Sequence, residues 1–430
     1  MYVLIVTGMR VLLSLCAALV LLWSTVQCHH NGDHSHHGND HSHHGNNDDS
    51  VSADGSLKIY QENLDFAFRL YKHISAQPDS QSKNVFFSPL SVSVALAALS
   101  VGARGKTHQQ LFEGLGFNST EITTEEVNQA FQHIHHNLNE KTGIDLSLGN
   151  ALFIGENIKP RPEFLESMKR YYESEGFSTD FSKPEEAKEQ INKYVNEKTK
   201  GKISELVQDV DPLTVMYLIN YIYFKGKWNM PFDPESTMEK PFFVDNTTEV
   251  NVQMMIKKNH FHVYHDVPIS TQVLQLPYND SVSMLLLLPE AGMPLLEKAI
   301  CSQHLAKWLK WLTKTEYRVY VPKFNITTSY LLKDILSDMG MPDIFENTAD
   351  FTGIIDEGSK LKVSKVVHQA SLSVDEAGST AAAGTGLSIT LYSAHRVPFL
   401  KFDRPFMFLI CNTDTKSILF MGKIVNPLAT

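Results

Sequence analysis

Apolar residues recur at helical spacing in NLDFAFRLYKHI (63–74), where Leu64, Phe66, Phe68, Leu70 and Tyr71 fill one broad face. SPLSVSVALAALSVGA (88–103) is almost wholly small and apolar, which predicts a helix buried on most sides. LTVMYLINYIYF (213–224) is a near-continuous apolar run rich in β-branched and aromatic residues, as expected of a strand covered on both faces. SMLLLLP (283–289) and the later MFLICN and ILFMGKIV stretches read the same way. Helices come early and strands dominate later, so the pattern predicts an α+β fold around large sheets.

One segment departs from this pattern. Within VDEAGSTAAAGTGLSITLY (374–392), Ser379 to Gly386 holds only Ser, Thr, Ala and Gly. From Leu387 the chain alternates, and tracing that period backward gives an inward set of Ser379, Ala381, Ala383, Thr385, Leu387, Ile389 and Leu391. Such a strip fits a tight slot as a strand but lacks the bulk to stay folded outside one. An ordinary edge strand or mobile loop accounts for the same residues, with Gly384 and Gly386 lowering strand propensity.

Composition narrows the compartment and the partners. Lys+Arg 38 against Asp+Glu 48 gives a net charge of −10, which argues against a nucleic-acid binder. Residues 11–22, VLLSLCAALVLL, follow Arg10 and form the apolar core of a secretory signal. That run is too short to span a membrane. Val26 and Cys28 suit a cut before His29, so residues 1–28 are expected to be a signal peptide and the protein to be extracellular. Residues 29–51 are histidine-rich, polar and repetitive, the composition of a disordered extension. His34, His36, His37, His41, His43 and His44 could take a transition metal, although nothing in their spacing fixes a geometry. The remainder, 52–430, is expected to be one domain.

Sequons at Asn118, Asn246, Asn279 and Asn325 fit a secreted glycoprotein. Removing the signal leaves Cys301 and Cys411, which match no zinc or redox spacing and could be paired or reduced. Catalytic motifs fail: there is no GxSxG, no HExxH, and GARGKT (102–107) has Ser100 where a phosphate loop needs glycine. No enzyme and no cofactor are expected.

Five ordered stretches resemble the serpin family, and within it the alpha-1-antitrypsin-like group. They are NVFFSPLSVSVALAALSVGARGKT (84–107), LINYIYFKGKW (218–228), KLKVSKVVHQASLSVDEAGSTAAAG (360–384), FDRPFMFLI (402–410) and FMGKIVNP (420–427). The resemblance spans 56–430 and implies three β-sheets, eight or nine helices and an exposed reactive-centre loop. It also implies a monomeric inhibitor that works by being cut. A serine protease attacks one loop bond, and the severed loop inserts into the main sheet before the acyl-enzyme is hydrolysed.

Carried over residue by residue, the hinge is Glu376, Gly378, Ser379, Ala381, Ala382 and Ala383, clean of the bulky residues that stall insertion. Sixteen positions after Glu376 lies Tyr392, so the implied scissile bond is Tyr392–Ser393 and the implied target a chymotrypsin-like protease. Counting from the strand side points instead to Ala394, and Arg396–Val397 would suit a trypsin-like enzyme. The resemblance also implies a polar cluster of Ser88, Ser91, Asn220 and His368, a tryptophan at the top of the sheet, Trp228, and an ion pair of Lys323 with Glu376.

His304, Lys307, Lys310 and Lys314 recur at helical steps and could form a basic stripe for a glycosaminoglycan. FQHIHHNLNEK (131–141) carries histidines where heparin-activated relatives carry Lys or Arg, which speaks against heparin activation at neutral pH. The rival reading is a non-inhibitory carrier of a hormone or other small apolar ligand.

Overall fold

Two sheets organise the chain around its early helices. The computed structural model describes residues 47–139, 144–278, 281–355, 360–378 and 397–429. The early helical pattern becomes α1 (Asn47–Ala76), α2 (Pro89–Ser100), α3 (Gly105–Leu115) and α4 (Thr124–Asn139). After them come α5 (Pro162–Tyr172), α6 (Pro184–Lys198), α7 (Met293–Ala299), α8 (Ser302–Trp311) and α9 (Lys333–Asp338).

The strands are β1 (Val85–Phe87), β2 (Ile144–Gly155), β3 (Glu175–Thr179), β4 (Met216–Gly226), β5 (Met238–Phe243), β6 (Glu249–Asp266) and β7 (Thr271–Pro277). They continue as β8 (Val282–Pro289), β9 (Thr313–Pro322), β10 (Phe324–Leu331), β11 (Lys365–Val374), β12 (Phe399–Lys401), β13 (Phe406–Asn412) and β14 (Ile418–Ile424).

One sheet has five strands in the order β10-β11-β4-β2-β3. The other runs β1-β14-β13-β8-β7-β6-β9-β12, with β5 also on β6. The three implied sheets thus form two hydrogen-bonded assemblies, because the eighteen-residue β6 pairs with β5, β9 and β7 in turn and joins two leaves into one.

The apolar run of β4 is explained by burial on both faces. Met216, Leu218, Ile222 and Phe224 belong to the main core, where α2 packs with all twelve of its residues buried. Tyr217, Ile219 and Tyr221 point the other way, into a second core with Phe153 of β2 and with Ala187, Ile191 and Val195 of α6. Alternation is present, but both sets are hydrophobic. Asn220 falls on the α2 side of that alternation, a polar residue aimed into the main core.

Neighbouring strands differ in direction. β11 pairs antiparallel with β10 and parallel with β4, over eight register pairs from Lys365↔Tyr217 to Leu372↔Phe224. β4 and β2 are antiparallel. The β4–β11 seam is therefore a parallel contact at the centre of the sheet, the pairing that is slightly weaker per residue.

Candidate functional site

A polar rung crosses this seam. Register aligns Asn150 of β2 with Asn220 of β4, Asn220 with His368 of β11, and His368 with Tyr330 of β10. Register partners point to the same face, so four polar side chains meet beneath α2. Ser88 caps α2, its hydroxyl accepting from the Ser91 amide at 3.1 Å.

Hydrogen bonds settle the protonation of this group. The Ser88 amide can only donate, and it donates to His368 Nε2 at 3.0 Å. The ring proton therefore sits on Nδ1 and is donated to Asn220 Oδ1. Asn220 Nδ2 in turn donates to the Ser91 carbonyl at 2.9 Å, and reaches Ser91 Oγ and Asn150 Oδ1 at 2.5 Å. Tyr330 Oη accepts from the Phe86 amide at 3.3 Å. Complete burial pushes the His368 pKa down to about 3, so the imidazole is neutral. The implied cluster of Ser88, Ser91, Asn220 and His368 is thus brought together, and Asn150 and Tyr330 extend it.

A second group closes the upper end of the seam. Trp228 is buried, stacks on Tyr278 with ring centroids 4.3 Å apart, and donates Nε1 to the Asp375 carbonyl at 2.9 Å. Its amide donates to the Ala377 carbonyl at 3.0 Å, and the Phe232 amide donates to the Glu376 carbonyl at 2.7 Å. The Glu376 carboxylate accepts from Lys323 Nζ at 2.8 Å and from Thr237 Oγ1 at 2.7 Å. Burial alone would raise this carboxyl; the hydrogen bonds from Lys323 and Thr237 outweigh it and hold it below its ordinary range. The implied Lys323–Glu376 pair is present, and Thr237 and Tyr278 join the group without having been singled out in the sequence.

At this upper end the chain turns back on itself. Asp375 and Gly378 exchange both backbone hydrogen bonds at 3.2 Å, and Gly378 also bridges antiparallel to Lys227, next to the end of β4. Gly378 has φ of +108°, and a Cβ there would lie 2.4 Å from the Gly226 carbonyl oxygen and 2.5 Å from the Trp228 nitrogen. Only glycine fits so close an approach of three backbones. The residue that follows β11 by one turn is therefore wedged between the ends of β11 and β4.

Other expected positions fall in several places. Ser379, Ala381, Ala382, Ala383, Tyr392 and Ser393 lie outside the described residues, as do Asn279, the signal segment and the histidine-rich extension. Asn118, Asn246 and Asn325 are exposed. Cys301 and Cys411 are not bonded to each other. Cys301 caps α8 with Sγ 3.3 Å from His304 Nδ1, whereas burial in β13 pushes the Cys411 thiol up to about 12.

The expected basic stripe is not formed. Lys307 reaches the fully buried Asp266 at 2.7 Å, His304 turns toward Cys301, and Lys314 lies on β9 because α8 stops at Trp311. Lys310 alone remains exposed on that helix face. On α4, His133 and His136 are exposed, and the buried His135 lies 3.2 Å from Glu173. Among the described residues no group of three or more His, Cys, Asp or Glu could hold a metal.

Comparison with known proteins agrees with this geometry. The family model described as "Serpin (serine protease inhibitor)" matches residues 61–427. Among curated proteins, an alpha-1-antitrypsin-like protein of Tamias sibiricus is 44% identical over 374 residues, covering 86% of this chain and 89% of its own. Corticosteroid-binding globulin of Ovis aries is 43% identical over 367 residues, covering 85% and 84%. Among solved structures, human thyroxine-binding globulin in its hormone complex superposes with a TM-score of 0.82 at 41% identity, covering 87% of this chain and 99% of that one.

Proposed function

The chain belongs to the serpin family, and from that premise we propose that it is a secreted inhibitor that traps serine proteases by loop insertion, with Tyr392–Ser393 as the bond presented. The observation that carries this reading is the wedge at Gly378. A strand continuing from that turn runs antiparallel to β11, and also to β4, since those two are parallel. Entering between them replaces one parallel seam by two antiparallel ones, a gain in pairing. Entering between β11 and β10 would instead replace one antiparallel pair by one antiparallel and one parallel, so that the only added contact is the weaker kind.

The register supports the same slot. Gly378 already faces Lys227 on one side and Asp375 on the other. Seven steps down each strand lead to Asn220 and His368, and seven steps along the loop lead to Thr385. Its hydroxyl would enter the rung at the point where those two side chains bond directly, offering a donor and an acceptor in exchange. Ser379, Ala381 and Ala383 precede it on the same face, small enough to pass under α2. The uncut fold is then held by barriers rather than by depth, and cleavage releases it.

In the reaction, the protease serine attacks the Tyr392 carbonyl and the Ser393 amine leaves, which gives an ester and a new C-terminal peptide. Insertion carries the ester away from the loop's original position before water can attack it. An aromatic residue before the bond suits the hydrophobic specificity slot of a chymotrypsin-like enzyme.

The test is to mix the mature protein with chymotrypsin, separate it under denaturing conditions and sequence the released peptide. A complex that survives boiling, with a peptide starting at Ser393, supports the reading. A start at His395 or Val397 keeps the inhibitor and moves the target to elastase-like or trypsin-like enzymes. Cleavage by all three protease types with no stable complex overturns it in favour of a carrier. That second reading draws on the corticosteroid- and thyroxine-binding relatives.

A further inference from the structure

A cleft of about 1090 Å³ opens between the C-terminal turn of α1, the corner from β8 into α7, and the segments flanking β13 and β14. None of the rung or hinge residues lines it. We propose that it binds a small amphipathic carboxylate, an apolar body ending in an acid group, of the size of a fatty acid.

Its floor holds a charged group that few folds bury. The Lys423 side chain is 2% exposed and donates to Glu297 Oε1 at 2.8 Å, and the same oxygen accepts from Tyr71 Oη at 2.7 Å. An ammonium has three N–H donors, and Glu297 is the one acceptor that Lys423 meets among the described residues. A nearly buried cation with unused donors, set in the floor of a cleft, favours an acceptor from outside.

The remaining charges tilt the same way. Each carboxylate at the cleft already has protein donors. Glu297 has Lys423 and Tyr71, Glu290 has Gln272 at 3.1 Å, and Asp245 has the Thr247 and Thr248 amides. The cations are less engaged. Arg404 donates Nε to the Pro289 carbonyl at 3.4 Å and lies 3.6 Å from Asp403, while Lys72 and Lys298 form no ion pair among the described residues. In a chain of net charge −10, cations and carboxylates balance around this cleft, and the cations are the half with fewer partners.

Met293, Pro289 and Pro405 add apolar surface to the walls. Apolar walls with few convergent polar groups are the usual makeup of a small-molecule pocket, and this volume is ample for an acyl chain. A carboxylate can pair with Lys298 or Arg404 at the rim and accept from Lys423 at the floor. A quaternary ammonium of the same length meets repulsion, and an alcohol forgoes the charge-assisted bonds.

The probe is 11-(dansylamino)undecanoic acid, titrated into the full mature chain and read by fluorescence. Saturable binding is expected, displaced by dodecanoate at a concentration about tenfold or more below that needed with dodecanol. Dodecyltrimethylammonium should displace it least. The double variant Lys298→Ala/Arg404→Ala, one exposed and one half-buried residue of the rim, should weaken dodecanoate by about tenfold and leave dodecanol unchanged. Lys423→Met should lose the acid preference where it folds, and the rim variant decides where it does not. Absence of saturable binding, equal displacement by acid and alcohol, or an unaltered rim variant overturns the proposal. Because the readout is binding to the uncut chain, it is independent of whether the protein traps proteases.

Discussion

His368 Nδ1 donates to Asn220 Oδ1 straight across the parallel seam between β11 and β4. This one bond joins the two strands by their side chains, while the Ser88 amide donating to Nε2 on the other side of the ring requires the neutral imidazole. The neutral state persists in the fold down to about pH 3, whereas the ring in the unfolded chain titrates near 6.5. Between those values the unfolded chain binds the proton and the native chain does not, so stability rises with pH and is lost on acidification. The expected slope is about 1.4 kcal/mol per pH unit across that window. Urea unfolding of the wild type and of His368→Gln between pH 4.5 and 7.5 measures it. Below about pH 6 the two slopes should differ by about that amount and above pH 7 they should coincide; equal slopes throughout would show that His368 is not the titrating group.

Replacing Gly378 by alanine should damage the hinge more than any neighbouring alanine substitution. The left-handed φ and the Gly226 and Trp228 backbone atoms both refuse a Cβ, so the turn must move off the end of β4. A destabilisation of about 1–3 kcal/mol is expected. It should show as a lower melting temperature and faster limited proteolysis on the N-terminal side of the loop.

Lys323→Ala removes one of two side-chain donors from the Glu376 carboxylate and leaves Thr237. Lys323 is 38% exposed, so the loss should be modest, about 1 kcal/mol. Its consequence is a looser entry to the seam, and another molecule's loop can add there as a strand. Native gels after mild heating should show polymers earlier than in the wild type, and an unchanged rate would remove the ion pair from the gate.

Thr385→Glu tests the register. A carboxylate delivered between Asn220 and His368 would be buried without a cation, at a cost of several kcal/mol. Chymotrypsin should still cut the loop at the wild-type rate. The product should shift from trapped complex to free cleaved protein on a denaturing gel.

In the folded mature protein, a disulfide reagent should modify Cys301 and leave Cys411 untouched at pH 8. Burial in β13 keeps that second thiol protonated up to about 12. Modification of both at the same rate would mean that β13 opens locally.

Much of the site could be read from one dimension. A polar Asn220 inside a long apolar run, and small residues from Ser379 onward, each announce themselves by breaking a local pattern. Asn150 sends the same signal within LGNALFIG, and the rule that flagged Asn220 could have found it. Tyr330, Thr237 and Tyr278 give none, because their roles come from pairing with segments 38 or more positions away, and register between distant strands is a property of the assembled sheet. Lys314 shows the opposite failure. Helical spacing placed it with Lys307 and Lys310, but TKTEYRVYV has the alternation and β-branched residues of a strand, and it starts only two residues after Trp311.

The eleven residues of β4 also act as a ruler. At a rise near 3.3 Å per residue they measure roughly 36 Å. A loop zipped down from Lys227 would bring Ile389 level with Met216 at the far end, three residues before Tyr392. Loop length is then subject to parity. Removing two residues between Gly378 and Tyr392 shortens the protease's journey yet keeps alternate side chains facing the same way. Removing one turns each small residue below the cut outward and brings its neighbour under α2 instead.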